Sequence, residues 1–181
     1  MKKTTTTSQV PHSSSKPAAP DNPQAAAPEH PTAEETAAHL QNIEINRILQ
    51  DFDKQYHRYA VSIGISEPTM WLLYTLCEIG KDCTQNELST IWSIPKQTVN
   101  FAVSGLTKKG LVELVPIPSA KNSKAVHLTE AGTKYCEKYI QPLFEVESRA
   151  LLRMSEQERE QMIELLQKNK SYFVEEVEKI L

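Results

Sequence analysis

Thr84 to Gly110 reads TQNELSTIWSIPKQTVNFAVSGLTKKG, and its spacing predicts two short helices joined by a tight turn. Thr84 can cap the first helix, and Glu87, three residues on, can reach back to the cap. Leu88 and Trp92 fall four apart on one face. Ile94 and Pro95 interrupt the pattern, and proline suits a helix start because its missing N–H would be unpaired there anyway. The second helix is expected from about Lys96, with Val99, Val103 and Leu106 inward. Lys108 and Lys109 occupy its last turn, where cations favour the helix dipole. Gly110 is placed to end the helix, with Leu111 able to touch Leu106 in a Schellman closure. Two short helices with so small a turn match a helix-turn-helix.

The outward face of the second helix carries the functional signal. Gln97, Thr98, Asn100, Phe101 and Ser104 have no evident place in a core. Gln and Asn amides can pair bidentately with adenine in the major groove, and Thr and Ser hydroxyls make varied base or phosphate contacts. A plain solvated helix face is the competing reading. The residues that follow weigh against it. Leu111 to Ile117 is a strand candidate, Ala125 to Leu128 a second, and the turn-rich Pro118 to Lys124 lies between them. A hairpin directly after a helix-turn-helix makes a winged helix. Thr129 then stands as the N-cap of a further helix.

The run TVNFAVSGLTKKGLVEL, a hairpin, and then HLTEAG at the expected separation resemble the MarR family of transcriptional regulators. Ile63 to Trp71, IGISEPTMW, is similar to the family's entry into the helix before the helix-turn-helix. The resemblance spans roughly residues 38 to 181. It implies a symmetric homodimer on double-stranded DNA, with the second helix in the major groove and the wing at the neighbouring minor groove. The DNA-binding residues implied are Lys96, Gln97, Thr98, Asn100, Phe101, Ser104, Lys108, Lys121 and Lys124. Two departures stand out. The family's wing usually carries an Asp-x-Arg pair, where this chain has Ala120, Lys121 and Asn122. The recognition helix also lacks arginines, and Phe101 and Gly105 stand there instead.

The chain has 181 residues and a net charge of −3, so any attraction to nucleic acid must be local. It is local in sequence: Lys96, Lys108, Lys109, Lys121 and Lys124 face Glu113 alone between positions 96 and 124. Residues 1–35 are rich in Thr, Ser, Pro and Ala and are expected to be a disordered tail. Lys2 and Lys3 precede no apolar run, so a signal peptide is not expected. No stretch reaches bilayer length, and the expected location is the cytoplasm.

The fold class expected is mainly α with a small β-hairpin, a winged helix-turn-helix flanked by N- and C-terminal dimerisation helices. Residues 36–65 form the first of these, with Ile45, Ile48, Leu49, Phe52, Tyr56 and Tyr59 recurring at helical spacing. Residues 66–128 form the DNA-binding region. Residues 129–181 form the C-terminal dimerisation helices, with Pro142 expected to kink one of them and Ser155 to Glu158 forming another capping box. Their apolar stripes exceed what one small winged helix can cover.

Catalytic signatures are not found, and no cofactor is expected. The five histidines share no metal-ligand spacing, and the three cysteines, Cys77, Cys83 and Cys136, fit no zinc pattern. Free thiols suit a reducing compartment. Cys83, in a short charged connector beside Lys81, is the candidate oxidation sensor, set against an ordinary semi-buried cysteine. The resemblance also implies a cavity for a small aromatic effector. Tyr56, Tyr59, Met70, Trp71 and Tyr74 would face it, unless they are simply core. The expected function is therefore sequence-specific DNA binding as a MarR-type regulator, a repressor released by a small-molecule or oxidant signal. The alternative is a winged-helix module that binds protein and not DNA.

Overall fold

The structure is a computed structural model, and it describes residues 31–117 and 123–181. The chain divides into two units, Met1–Asn46 and Arg47–Leu181. The described part of the first unit belongs almost wholly to helix α1, Ala33–Ser62. That helix begins inside the segment expected to be a disordered tail. The Thr32 hydroxyl accepts from the Glu35 N–H at 3.1 Å, and the Thr32 N–H donates to the Glu35 carboxylate at 2.7 Å. This reciprocal cap satisfies two otherwise unpaired donors and starts the helix three residues early. Residues 1–30, the rest of the expected tail, lie outside the described residues.

The second unit takes the chain from position 47 through α2 (Glu67–Ile79), β1 (Cys83–Thr84), α3 (Gln85–Ile91), α4 (Lys96–Lys108), β2 (Val112–Pro116), β3 (Lys124–Leu128), α5 (Glu130–Tyr139), α6 (Gln141–Leu151) and α7 (Glu156–Glu178). Mainly helical with one small antiparallel sheet, this is the architecture expected from the sequence. The sheet has one strand more than expected. Cys83 and Thr84, read as connector and cap, pair with Val126 and Ala125, so β3 lies between β1 and β2. Pro116 sits on the edge strand β2, where a missing N–H is tolerated.

Helix ends follow local chemistry. Pro68 falls in the first turn of α2, and Gly80 closes that helix at φ 62°, its N–H donating to the Leu76 carbonyl. At Gly110, φ 70°, the glycine N–H donates to the Thr107 carbonyl and the Leu111 N–H to the Leu106 carbonyl, the two bonds of a Schellman closure. Pro142 does more than kink a helix. It falls in the first turn of α6, and Ile140 separates α5 from α6. Proline cannot donate the N–H that would continue α5, and the fully buried Ile140 anchors the corner.

The core gathers Met70, Leu73 and Leu76 of α2, Leu88 of α3, Val99, Val103 and Leu106 of α4, Val112 and Val126 of the sheet, and Ile140 and Leu143 beyond. Each fully buried side chain of this size contributes roughly 1.5–3 kcal/mol. α7 differs, because none of its residues is buried.

Candidate nucleic-acid interface

The first helix of the pair is fixed at its start. Thr84 Oγ1 accepts from the Glu87 N–H at 3.1 Å, and the Thr84 N–H donates to Glu87 at 2.7 Å. These bonds hold the Glu87 carboxyl below its usual range. The turn is equally specific. Ser89 donates its hydroxyl to the Ile94 carbonyl at 2.6 Å, and the Ile94 N–H returns to the Ser89 carbonyl at 3.1 Å. Ser93 takes the left-handed conformation at φ 50°, which is uncommon for a residue with a Cβ. Trp92 caps α3 rather than continuing it. Its indole N–H donates to Thr75 Oγ1, and Thr75 in turn donates to the Trp71 carbonyl.

With its start set by that turn, α4 buries Val99, Ala102, Val103 and Leu106. The opposite side is open. Lys96, Gln97, Asn100, Phe101, Ser104 and Lys108 are exposed and Thr98 is half-buried. Phe101 is 70% exposed, a large aromatic ring in water amid polar neighbours. The first turn of α4 has no side-chain cap and no acidic residue, unlike α3, α5 and α7. Its first-turn N–H groups therefore have no capping side chain and no neighbouring carboxylate within the turn, an arrangement suited to anions. Lys124 is exposed at the start of β3. Lys121, with Ala120 and Asn122, lies outside the described residues.

The residues expected to face an effector cavity are in contact with one another and with neighbouring elements. Trp71 stacks on Trp92 with centroids 4.3 Å apart, Tyr56 lies 4.6 Å from Trp71, and Tyr74 meets Phe144 edge-on at 4.4 Å. Glu147 accepts both tyrosine hydroxyls, from Tyr56 at 2.7 Å and Tyr74 at 2.8 Å. Burial and that carboxylate push both phenols up, so they remain neutral donors. Tyr59 donates to the Tyr139 carbonyl at 2.6 Å. Met70 is fully buried. Trp92, Phe144 and Glu147, absent from the expected set, fill the space between the expected residues. Cys83, expected in a short connector, lies in β1. It is 3% exposed, its thiol pushed up chiefly by burial, because β1 pairs it against Val126.

Among the described residues, no group of three or more His, Cys, Asp or Glu could hold a metal ion. No described helix is long and apolar enough to cross a membrane.

Residues 63–121 match the model of the MarR family. No curated protein matches the chain. Among solved structures, NMB1585, a MarR family regulator from Neisseria meningitidis, is 18% identical with a TM-score of 0.67, the match covering 78% of this chain and 99% of that one. A probable transcriptional regulator from Pseudomonas aeruginosa is 27% identical with a TM-score of 0.54, covering 71% and 98%. The DNA complex of Staphylococcus aureus MepR is 22% identical with a TM-score of 0.61, covering 78% and 99%. With the helix-turn-helix, wing and following helix in the matching order, residues 63–121 carry the MarR family's match and the fold around them is similar to that of MarR regulators of known structure.

Proposed function

We propose that the protein is a cytoplasmic transcriptional regulator that binds a pseudo-palindromic DNA operator as a homodimer and represses until a signal releases it. The observation that carries this reading is the outward face of α4. It combines an uncapped, acid-free N-terminus with Gln97, Asn100, Phe101 and Ser104 in solvent. In the major groove the amides would pair with base edges, Phe101 would meet a thymine methyl, and the first-turn N–H groups would meet phosphate. The likeness to a MepR–DNA complex supports a fold able to take that pose.

The dimer is argued from α7. Its Leu165, Leu166 and Phe173 are 64%, 53% and 68% exposed. Apolar surface on this scale marks an interaction site. Closure by a two-fold axis would set two recognition helices about 34 Å apart, one turn of DNA.

Binding to the DNA flanking its own gene, and to random DNA, across several salt concentrations tests the reading. Gln97→Ala or Asn100→Ala should cost roughly 1–3 kcal/mol on the operator and little on random DNA. Lys121→Ala should weaken both alike and reduce the salt slope by about one counterion per contact. If all three leave both affinities unchanged, the exposed Phe101 face is better read as a protein-binding surface. A folded monomer by sedimentation at micromolar concentration would remove the dimer.

A further inference from the structure

The helix α4 is as telling for what it lacks as for what it exposes. From Lys96 to Lys108 it holds no arginine, aspartate or glutamate. Arginine or lysine reads guanine through O6 and N7, and a carboxylate accepts from the amino group of cytosine. The two lysines stand at the ends of the helix. Lys108 is in the last turn, away from the N-terminal turns that reach base edges. Lys96 lies seven residues before the buried Val103, at the margin of the open face, a position suited to phosphate. The polar and aromatic side chains left in the reading turns are Gln97, Thr98, Asn100, Phe101 and Ser104. Amides pair with adenine N6 and N7, and an apolar group packs on the thymine methyl. Adenine and thymine each have a dedicated reader on this face, and guanine and cytosine have none.

Phe101 holds the centre of that face. Gln97, Phe101 and Ser104 recur at spacings of four and three, opposite the buried Val99, Ala102, Val103 and Leu106. The ring is 70% exposed, and water is a poor place for it. Gly105 follows it by four, one turn further along the same side. A Cβ on Gly105 would meet nothing within 4 Å, so packing within the chain does not call for a glycine that weakens the helix. Its bare backbone leaves room beside the ring for a flat base edge. Resting on the DNA-binding reading above, we propose that Phe101 determines specificity by packing on the 5-methyl group of thymine, with Gln97 or Asn100 taking adenine, so that α4 selects A·T base pairs in each half-site. The ring reads a methyl group and makes no hydrogen bond. Deoxyuridine keeps the O4 acceptor of thymidine and loses only that methyl, so it isolates the contact.

The test selects duplexes from a randomised pool with the full chain, then makes the selected duplex with thymidine or with deoxyuridine throughout. A·T pairs are expected at the half-site centres. Deoxyuridine should weaken binding about fourfold for each methyl the ring covers, or about fifteenfold over two half-sites. Phe101→Ala, a change at an exposed position, should bind the two duplexes alike. Comparing the two proteins removes any effect of deoxyuridine on duplex shape, which both would feel equally. Equal binding of both duplexes by the unmutated chain, or half-sites centred on G·C pairs, would overturn the proposal and leave DNA binding in place. A deoxyuridine penalty undiminished in Phe101→Ala would assign the methyl to another residue and overturn it too. If no sequence is enriched over random DNA, the DNA-binding reading itself falls, and this one with it.

Discussion

A Cβ placed on Gly132 would lie 1.9 Å from the Leu111 carbonyl oxygen, whereas one on Gly105 would meet nothing within 4 Å. Both glycines stand inside helices, α5 and α4, and only one is there for packing. At Gly132 the first turn of α5 is pressed against the chain leaving α4. Thr129 binds the two together. Its hydroxyl donates to the Gly110 carbonyl at 2.6 Å and accepts from the Gly132 N–H at 3.0 Å, and its own N–H donates to the Leu111 carbonyl at 3.1 Å. The root of the wing is therefore fixed by backbone geometry. Gly105 lies on the exposed side of α4 and weakens that helix with no return from packing within the chain. The wing root is specified from inside the molecule, and the open face of α4 is free to answer to something outside it.

Gly132→Ala should produce the largest effect on this contrast. Backbone cannot yield as a flexible side chain can, and the loss should be about 3 kcal/mol, read as a lower urea midpoint. A wild-type midpoint would mean that the close approach to Leu111 is not real. Thr129→Ala removes the cap and the tie to Gly110, and should cost about 1–2 kcal/mol in the same measurement. Gly105→Ala should go the other way, raising stability by about 1 kcal/mol. Paired with DNA titration it sharpens the comparison: greater stability with weaker binding would show that the missing Cβ makes room for a partner.

The smallest effect concerns His127, also at the wing root. Asp82 accepts its Nδ1–H at 2.7 Å, and that bond is the main cause of a raised His127 pKa. A histidine raised on folding stabilises fully below its unfolded value and loses that contribution as pH rises through the folded one. The pair is solvent-exposed, so the change in stability should be slight. NMR titration is the suitable measurement, and Asp82→Asn should return His127 toward the ordinary range.

What the sequence made legible was local. The Thr84–Glu87 and Ser155–Glu158 boxes, the Gly110 closure and the Thr129 cap each involve residues within one or two turns, and all are present. The Thr32–Glu35 box was equally local and was hidden by the Thr/Pro/Ala composition around it. Cys83 could not be placed from its neighbours, because the strand that buries it pairs with Val126, far along the chain. The packing around the Tyr56–Trp71–Tyr74 group was hidden for the same reason. Helical spacing put those rings on compatible faces, but Trp92, Phe144 and Glu147 reach them from other elements. The outward face of α4 was readable because four buried neighbours at helical spacing leave the remaining positions to solvent.

The stacked pair of Trp71 and Trp92 has an optical consequence. These are the only two tryptophans in the chain, with ring planes 27° apart, one from the helix before the motif and one from its turn. Their indole transitions should couple and give a near-ultraviolet circular dichroism signal that depends on this contact. Excitation at the red edge would report on the helix-turn-helix alone, without an introduced label. Any operator, ligand or oxidation event that shifts α2 against the turn would then be visible in the native protein as a change in colour and ellipticity.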